Sequence, residues 1–200
     1  RDGRLYSLQT WRLFLPFFIA SGVLNIFTMG LVAWFPTFLV RAFGIESASA
    51  GYIFSLVGVP AGLVGSFLWP FVANRMEIAG RRDAMPLLLA GSCLALLPLA
   101  IALPFAGEPW VAAVIVGGLI LIVSTNTTLP LLVVQAVGDG SMRGRLTALE
   151  LLAYNLIGLA TGPVIVAWTG ENFGSHARGL GFGLAATAAV VGVIAAILFA

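Results

Sequence analysis

The chain has 200 residues, of which 60% are hydrophobic and 9% charged, against roughly 45–50% and about 25% in soluble domains. A core of this size surrounded by water could not hide so much apolar surface, so a soluble fold is excluded and lipid is the solvent. The net charge of +2 comes from ten arginines and no lysine, spread along the chain rather than gathered, which excludes a nucleic-acid surface.

Six apolar runs are long enough to span a bilayer: 13–40, 51–73, 85–103, 110–137, 146–168 and 180–200. Each holds about 19 residues or more, and a hydrocarbon core needs roughly 20 at ~1.5 Å rise each. "LQTWR" (8–12) reads as an interfacial lead-in to the first run, with Trp11 at headgroup depth. Within that run Ser21, Asn25 and Thr28 share one helical face. Trp34 and Phe35 stand near its far end, where aromatic side chains anchor at the interface or line a vestibule. Ser47 or Ser49 can cap the second helix. That helix offers Tyr52 and Ser55, and a Gly58-x-x-x-Gly62 spacing that lets backbones approach. The third run is plainer, with Ser92 and the lone cysteine, Cys93. One cysteine excludes an internal disulfide and any cysteine cluster, and suits a small packing residue.

Glu108-Pro109 leads into the fourth run and Asp139-Gly140-Ser141 into the fifth. "STNTT" (124–128) falls near the middle of the fourth, where Thr125, Thr128 and Gln135 share a face. On the fifth, Thr147, Glu150, Tyr154 and Thr161 form a stripe, and Asn155 lies on the face of Gly158 and Gly162, a second small-residue packing pair. The sixth run offers only Thr187. Helices one, four and five therefore carry polar faces at mid-membrane, which suits a cavity. Asn25, Thr28, Thr125, Asn126, Thr128 and Tyr154 are expected to line half of a binding site. Helices three and six are expected to be lipid-facing supports. Pro36, Pro60, Pro98, Pro130 and Pro163 fall inside five of the runs, each removing a backbone hydrogen bond and favouring a kink.

Of the eight acids, Glu150 alone lies within a run, ~7.5 Å beyond Arg145. A charge at that depth is costly and marks a functional position by default. Three roles fit: a gate paired with Arg143, Arg145 or a loop arginine; a reversible proton carrier; or a direct contact with substrate. With the N-terminus inside, arginines 1, 4, 12, 75, 81, 82, 143 and 145 fall on the inner side and only Arg41 and Arg178 on the outer, so both ends are expected to be cytoplasmic. The chain begins at an arginine and stops inside an apolar run, as a fragment of a longer protein would.

"FLVRAFGIESASAGYIFSLVGVPAGLVGSFL" (38–68) and "MRGRLTALELLAYNLIGLATGPVIVAW" (142–168) resemble the C-terminal half of a major facilitator superfamily transporter, helices seven to twelve of twelve. "NLIGLATGP" (155–163) is similar to the Spinster-like branch. "PFVANRMEIAGRR" (70–82) resembles the family's charged loop between helices eight and nine through Arg75, Gly80, Arg81 and Arg82. It departs at Pro70, at Asn74 (where the family has Asp), and by three extra residues before Gly80, which puts that loop's locking role in doubt. The resemblance implies an all-α integral membrane fold of six helices in two inverted three-helix repeats, one half of a twelve-helix transporter. It implies alternating access around a midplane site, lined in this chain by helices one, two, four and five.

The leading reading is a secondary transporter of a small organic solute, a symporter or antiporter of the bacterial inner membrane. Its partners would be the solute, the bilayer and an N-terminal six-helix half. The alternative is a non-transporting six-helix assembly module. A membrane enzyme is disfavoured: the one histidine, His176, falls in an outer loop, so no run offers a nucleophile with its base. For the same reason no metal ligand set or cofactor is expected.

Overall fold

The computed structural model describes residues 2–81, 83–137, 143–173 and 177–199, and side chains within 14–81, 83–136, 143–172 and 177–199. Six helices follow one another: α1 (Asp2–Phe43), α2 (Ser47–Ile78), α3 (Ala84–Ala102), α4 (Pro109–Val137), α5 (Arg143–Phe173) and α6 (Gly179–Phe199), with a 3-10 turn at Leu103–Phe105 after α3. No strand occurs among the described residues, and all six helices are long and apolar enough to cross a membrane. Each of the six apolar runs falls on one of these helices as far as Phe199. Several helices overrun them, since nothing in 2–12, 47–50 or 74–78 breaks a helix before the charged ends. Arg1, Arg82, Asp139-Gly140-Ser141 and His176 lie outside the described residues, as does the Trp11 side chain.

The helix ends follow local chemistry. Gly44 stands at φ 68 and its N–H bonds the Val40 carbonyl at 3.0 Å, closing α1 in a left-handed turn that glycine alone adopts without cost. Glu46, rather than Ser47 or Ser49, is the N-cap of α2, and no side chain caps it. The serines sit one and three residues too late, inside the first turn. At the other end of α2, Gly80 (φ 92) bonds Glu77 O at 2.9 Å and Arg81 bonds Met76 O at 3.0 Å. That pair of bonds is a Schellman turn, and it gives Gly80 of the charged loop a backbone reason to be glycine. Pro109 opens α4 where its missing N–H is not needed. The helices run on through the five expected prolines and also through Pro16 and Pro70.

The two largest helix contacts are not between chain neighbours. α1 lies mainly against α5 and α6, and α2 mainly against α4. Exchanging the first three helices for the last three maps this pattern onto itself: α1 on α5 becomes α4 on α2, and α1 on α6 becomes α4 on α3. Three helices make an odd number of crossings, so the second unit enters from the opposite side. Two inverted repeats result.

Small residues allow both main contacts. A Cβ on Gly158 would stand 2.3 Å from Asn25 Nδ2, and one on Gly162 would stand 2.5 Å from the Ile26 carbonyl. Gly22 and Gly30 of α1 meet Ala153 and Val166 of α5 in the same way. Pairs 22–153, 25–158 and 30–166 rise together, so α1 and α5 run parallel. Across α2 and α4, Gly58 and Gly62 face Ile120, and Gly65 sits on Ser124. An indole ties each pair: Trp34 Nε1 donates to Pro163 O at 2.7 Å, and Trp69 Nε1 to Leu121 O at 2.6 Å.

α6 packs one face on α1, α3 and α5 and leaves Val190, Val193, Ile194 and Ile197 exposed along the other, as a support facing lipid does. Its glycines and alanines bring it close, and a Cβ on Gly183 would meet the Val166 carbonyl at 2.7 Å. Poverty in polar residues here marks tight apolar packing. The helices left most open are α2 and α5, which expose Leu63, Phe67 and Phe71, and Leu156, Leu159 and Trp168. Asn155 does not share the packing role of Gly158 and Gly162. It is exposed and donates to Leu151 O of its own helix at 2.8 Å, because it is rotated off the line that meets α1.

Gly162→Ala should destabilise the bundle by about 1–3 kcal/mol, since its neighbour is backbone and cannot move aside. Gly91→Ala, with open space around it, should be neutral or slightly stabilising. Thermal unfolding of both variants in detergent compares the two.

Candidate functional site

Among the described residues, two clefts open on polar parts of the spans. The larger, about 340 Å³, lies between α1, α2 and α4. α1 contributes Thr28, Leu31 and Val32; α2 contributes Phe54, Ser55, Gly58, Val59, Gly62 and Ser66; α4 contributes Ile120, Val123, Ser124 and Thr127. Glycine at 58 and 62 leaves the floor low, and Ser55 and Ser66 continue the same small-residue face. The hydroxyls answer their own helices: Ser55 donates to Gly51 O at 2.9 Å, Ser66 to Gly62 O at 2.8 Å, Ser124 to Leu121 O at 2.6 Å and Thr127 to Ser124 O at 2.9 Å. Each keeps a lone pair for a guest. The groove is therefore an apolar trough with scattered acceptors and no charge.

The smaller cleft, about 140 Å³, lies between α4 and α5 and is lined by Asn126, Thr127, Pro130, Leu131, Glu150, Leu151 and Tyr154. Behind it α1 closes in. Asn126 Nδ2 donates to Ser21 O at 3.0 Å, and Asn25 Nδ2 donates to Tyr154 O at 2.8 Å. The Ser21 hydroxyl faces the Glu150 carboxyl. Glu150 is 2% exposed and its Oε2 has no hydrogen-bond partner, nor have Ser21 Oγ, Asn25 Oδ1 or Asn126 Oδ1. Arg143 and Arg145 are both exposed, so the arginine partner expected for Glu150 does not reach Oε2.

The six residues expected to line one cavity are dispersed. Thr28 is in the larger cleft, and Asn126 and Tyr154 are in the smaller. Asn25 is wholly buried in the seam between α1 and α5. Thr125 turns away to α3, where it donates to Ser92 Oγ at 2.9 Å and to Ile122 O at 2.7 Å. Thr128 bonds Ser124 O and lines neither cleft. The stripe on α5 is likewise split, because Thr161 is exposed and bonded to Ile157 O, and Gln135 is exposed. Sequence reasoning missed Thr127, Ser124, Ser66 and Phe54. The small-residue line Ser55, Gly58, Gly62, Ser66 was the available signal, and it reads equally well as plain helix packing.

Of the charged loop, Asn74 and Arg75 are still on α2, with the Arg75 guanidinium 5.2 Å over the Phe71 ring, and Arg81 is exposed. At the far end of α1, Trp34 borders a cleft of about 320 Å³ together with Arg41 and Glu171. Phe35 is fully buried against Phe38 and Phe54 and takes no part in any vestibule.

Cys93 is buried, so the natural chain should be silent toward aqueous thiol reagents. Cysteine at Ser55 or Thr127 should react with a membrane-impermeant methanethiosulfonate, and cysteine at Ser92 or Thr125 should not. Equal labelling at all four positions would mean that the larger cleft is not the wet one.

No family model and no curated protein matches the chain. Among solved structures it is similar to a bacterial homologue of the human lysosomal transporter Spinster, crystallised in an inward-facing and occupied conformation, with a TM-score of 0.71 and 19% identity. The likeness covers 94% of this chain and 48% of that one, so this chain spans about half of its length. It shows the fold: six membrane-length helices arranged as in about half of that chain.

Proposed function

We propose that the chain is the C-terminal half of a secondary transporter that moves a small organic solute across a membrane by alternating access. The observation that carries this reading is the trough between α1, α2 and α4 at mid-span, set in a fold that matches half of a transporter. A half-site needs its other half. The apolar faces of α2 and α5 are left open, and an N-terminal six-helix half, in the same parent chain or a separate one, is the partner that would cover them. The trough then becomes one wall of a central cavity reached from either side as the halves rock. The excess of arginine on one side supports both ends of this segment being cytoplasmic.

The trough sets the kind of solute. Its apolar lining and back-bonded hydroxyls suit a neutral or weakly polar organic molecule. A strongly anionic solute would need an arginine clamp, which the other half would have to supply.

Glu150 is the coupling group in this reading. A carboxyl buried between three moving helices takes up a cation, in its simplest form a proton, on one side and releases it on the other. In proteoliposomes of the whole transporter, Glu150→Gln should reduce gradient-driven uptake to background while leaving solute counterflow within about twofold. Undiminished gradient-driven uptake in that variant removes Glu150 from the coupling role. Absence of counterflow in the unaltered protein removes transport itself and leaves the assembly module.

A further inference from the structure

Among the described residues, four buried side-chain oxygens make no hydrogen bond of normal geometry: Ser21 Oγ, Asn25 Oδ1, Asn126 Oδ1 and Glu150 Oε2, although the Ser21 hydroxyl leans toward the Glu150 carboxyl. They are not scattered. Parallel α1 and α5 set Ser21 beside Glu150 and, one turn higher, Asn25 beside Tyr154. Antiparallel α4 brings Asn126 onto the carbonyl of Ser21. The two amide orientations are fixed, because each Nδ2 donates to a backbone carbonyl and only the oxygen is left over. Pro130, in the wall of the smaller cleft, has no N–H to offer the Asn126 carbonyl four residues earlier, so a backbone oxygen is freed at the same level.

Buried polar atoms are almost always satisfied, and a cluster of exceptions points to something that binds there. What is left over here is oxygen from three helices, with only the serine hydroxyl able to donate. Such a set suits a hard cation rather than an anion or a hydrogen-bond donor pair. Charge selects the valence. One carboxylate supplies a single negative charge, and every arginine whose side chain is described is exposed or half-buried. A monovalent ion closes the balance, while a divalent ion would leave a buried positive charge. The smaller cleft, about 140 Å³, is lined by Asn126 and Glu150 but not by Ser21 or Asn25, which are buried on α1; Thr127 and Leu151 at its edge are exposed, which gives a way in toward the four oxygens.

We propose that Ser21, Asn25, Asn126 and Glu150 form an alkali-cation site between α1, α4 and α5. This rests on the reading of Glu150 as the coupling group and names a second species for it, since a proton and a metal ion would neutralise the same carboxylate in turn. The site is separate from the solute trough, which α2 helps to build. Both are walled by neighbouring turns of α4, with Thr127 shared, so an ion that pins α4 against α1 and α5 also sets one wall of the trough.

The test is binding of sodium to the purified whole transporter, without solute. Replacing choline chloride by sodium chloride at constant ionic strength should raise the melting temperature in a saturable way, and radioactive sodium should bind with one site per chain. Glu150→Gln and Ser21→Ala should each weaken that binding at least tenfold, while Thr125→Val, which acts on α3, should leave it unchanged. Ser21→Ala removes one oxygen from a well-packed seam, so it reports even if the glutamate variant does not fold. No difference between sodium and choline in the unaltered protein overturns the proposal and assigns the four oxygens to water or to a donor from the other half. Sodium binding retained in both variants overturns it as well. Either failure leaves solute counterflow, and with it the transporter reading, untouched; loss of counterflow with sodium binding intact would do the reverse.

Discussion

The hydrocarbon layer holds no water to answer a polar atom, so the protein must answer each one itself. That constraint organises this bundle. Hydroxyls fold back onto their own helices, as Ser55, Ser66, Ser124 and Thr127 do. Amides reach across to the next helix, as Asn25 and Asn126 do. Indoles at 34 and 69 close the two principal helix pairs onto carbonyls. Among the described residues, the few oxygens that escape this rule lie at the crossing of α1, α4 and α5, beside the buried Glu150 carboxyl. Where satisfaction fails is where the architecture invites a guest.

Close backbone approach makes the reach-across bonds possible. Without Gly158, the Asn25 side chain would have no place between α1 and α5. Without Gly65, Ser124 would be pushed out of the seam with α2. Packing and polarity are thus one problem in this protein. A glycine on one helix creates the space in which an amide or hydroxyl on the next can find a carbonyl, and the trough at Gly58 and Gly62 is the same device left unfilled.

The fold was legible because lipid writes it plainly: six apolar runs, arginines between them, and a glycine or proline at several of the joins. Gly44, Gly80 and Pro109 each hold the terminal position that their chemistry suits. The site was less legible. Helical spacing says which residues share a face, but not which neighbour that face meets. Thr125 and Asn126 are adjacent in "STNTT", yet one turns to α3 and the other to α1. Thr127 next to them looks into the trough. Glu150 announced itself through cost alone, and so did the buried Asn25. The inner face of α6 was less legible than its outer one, because alanine and glycine serve a tight protein seam and a thin lipid face equally well.

The interleaved order of the helices bears on how the protein is made. α1 has its main partners in α5 and α6, and α2 has its main partner in α4, so the first two helices find little contact with their chain neighbours. A growing chain inserts α1 long before α5 has been synthesised. The glycine seam of α1, with Asn25 in it, must then wait in the bilayer or beside the insertion machinery until more than a hundred further residues have followed. Loop closure over such separations is slow. Neither three-helix repeat can be a folding unit by itself, since each holds the contact surfaces of the other. The bundle must therefore assemble late and as a whole, once α5 and α6 have both arrived.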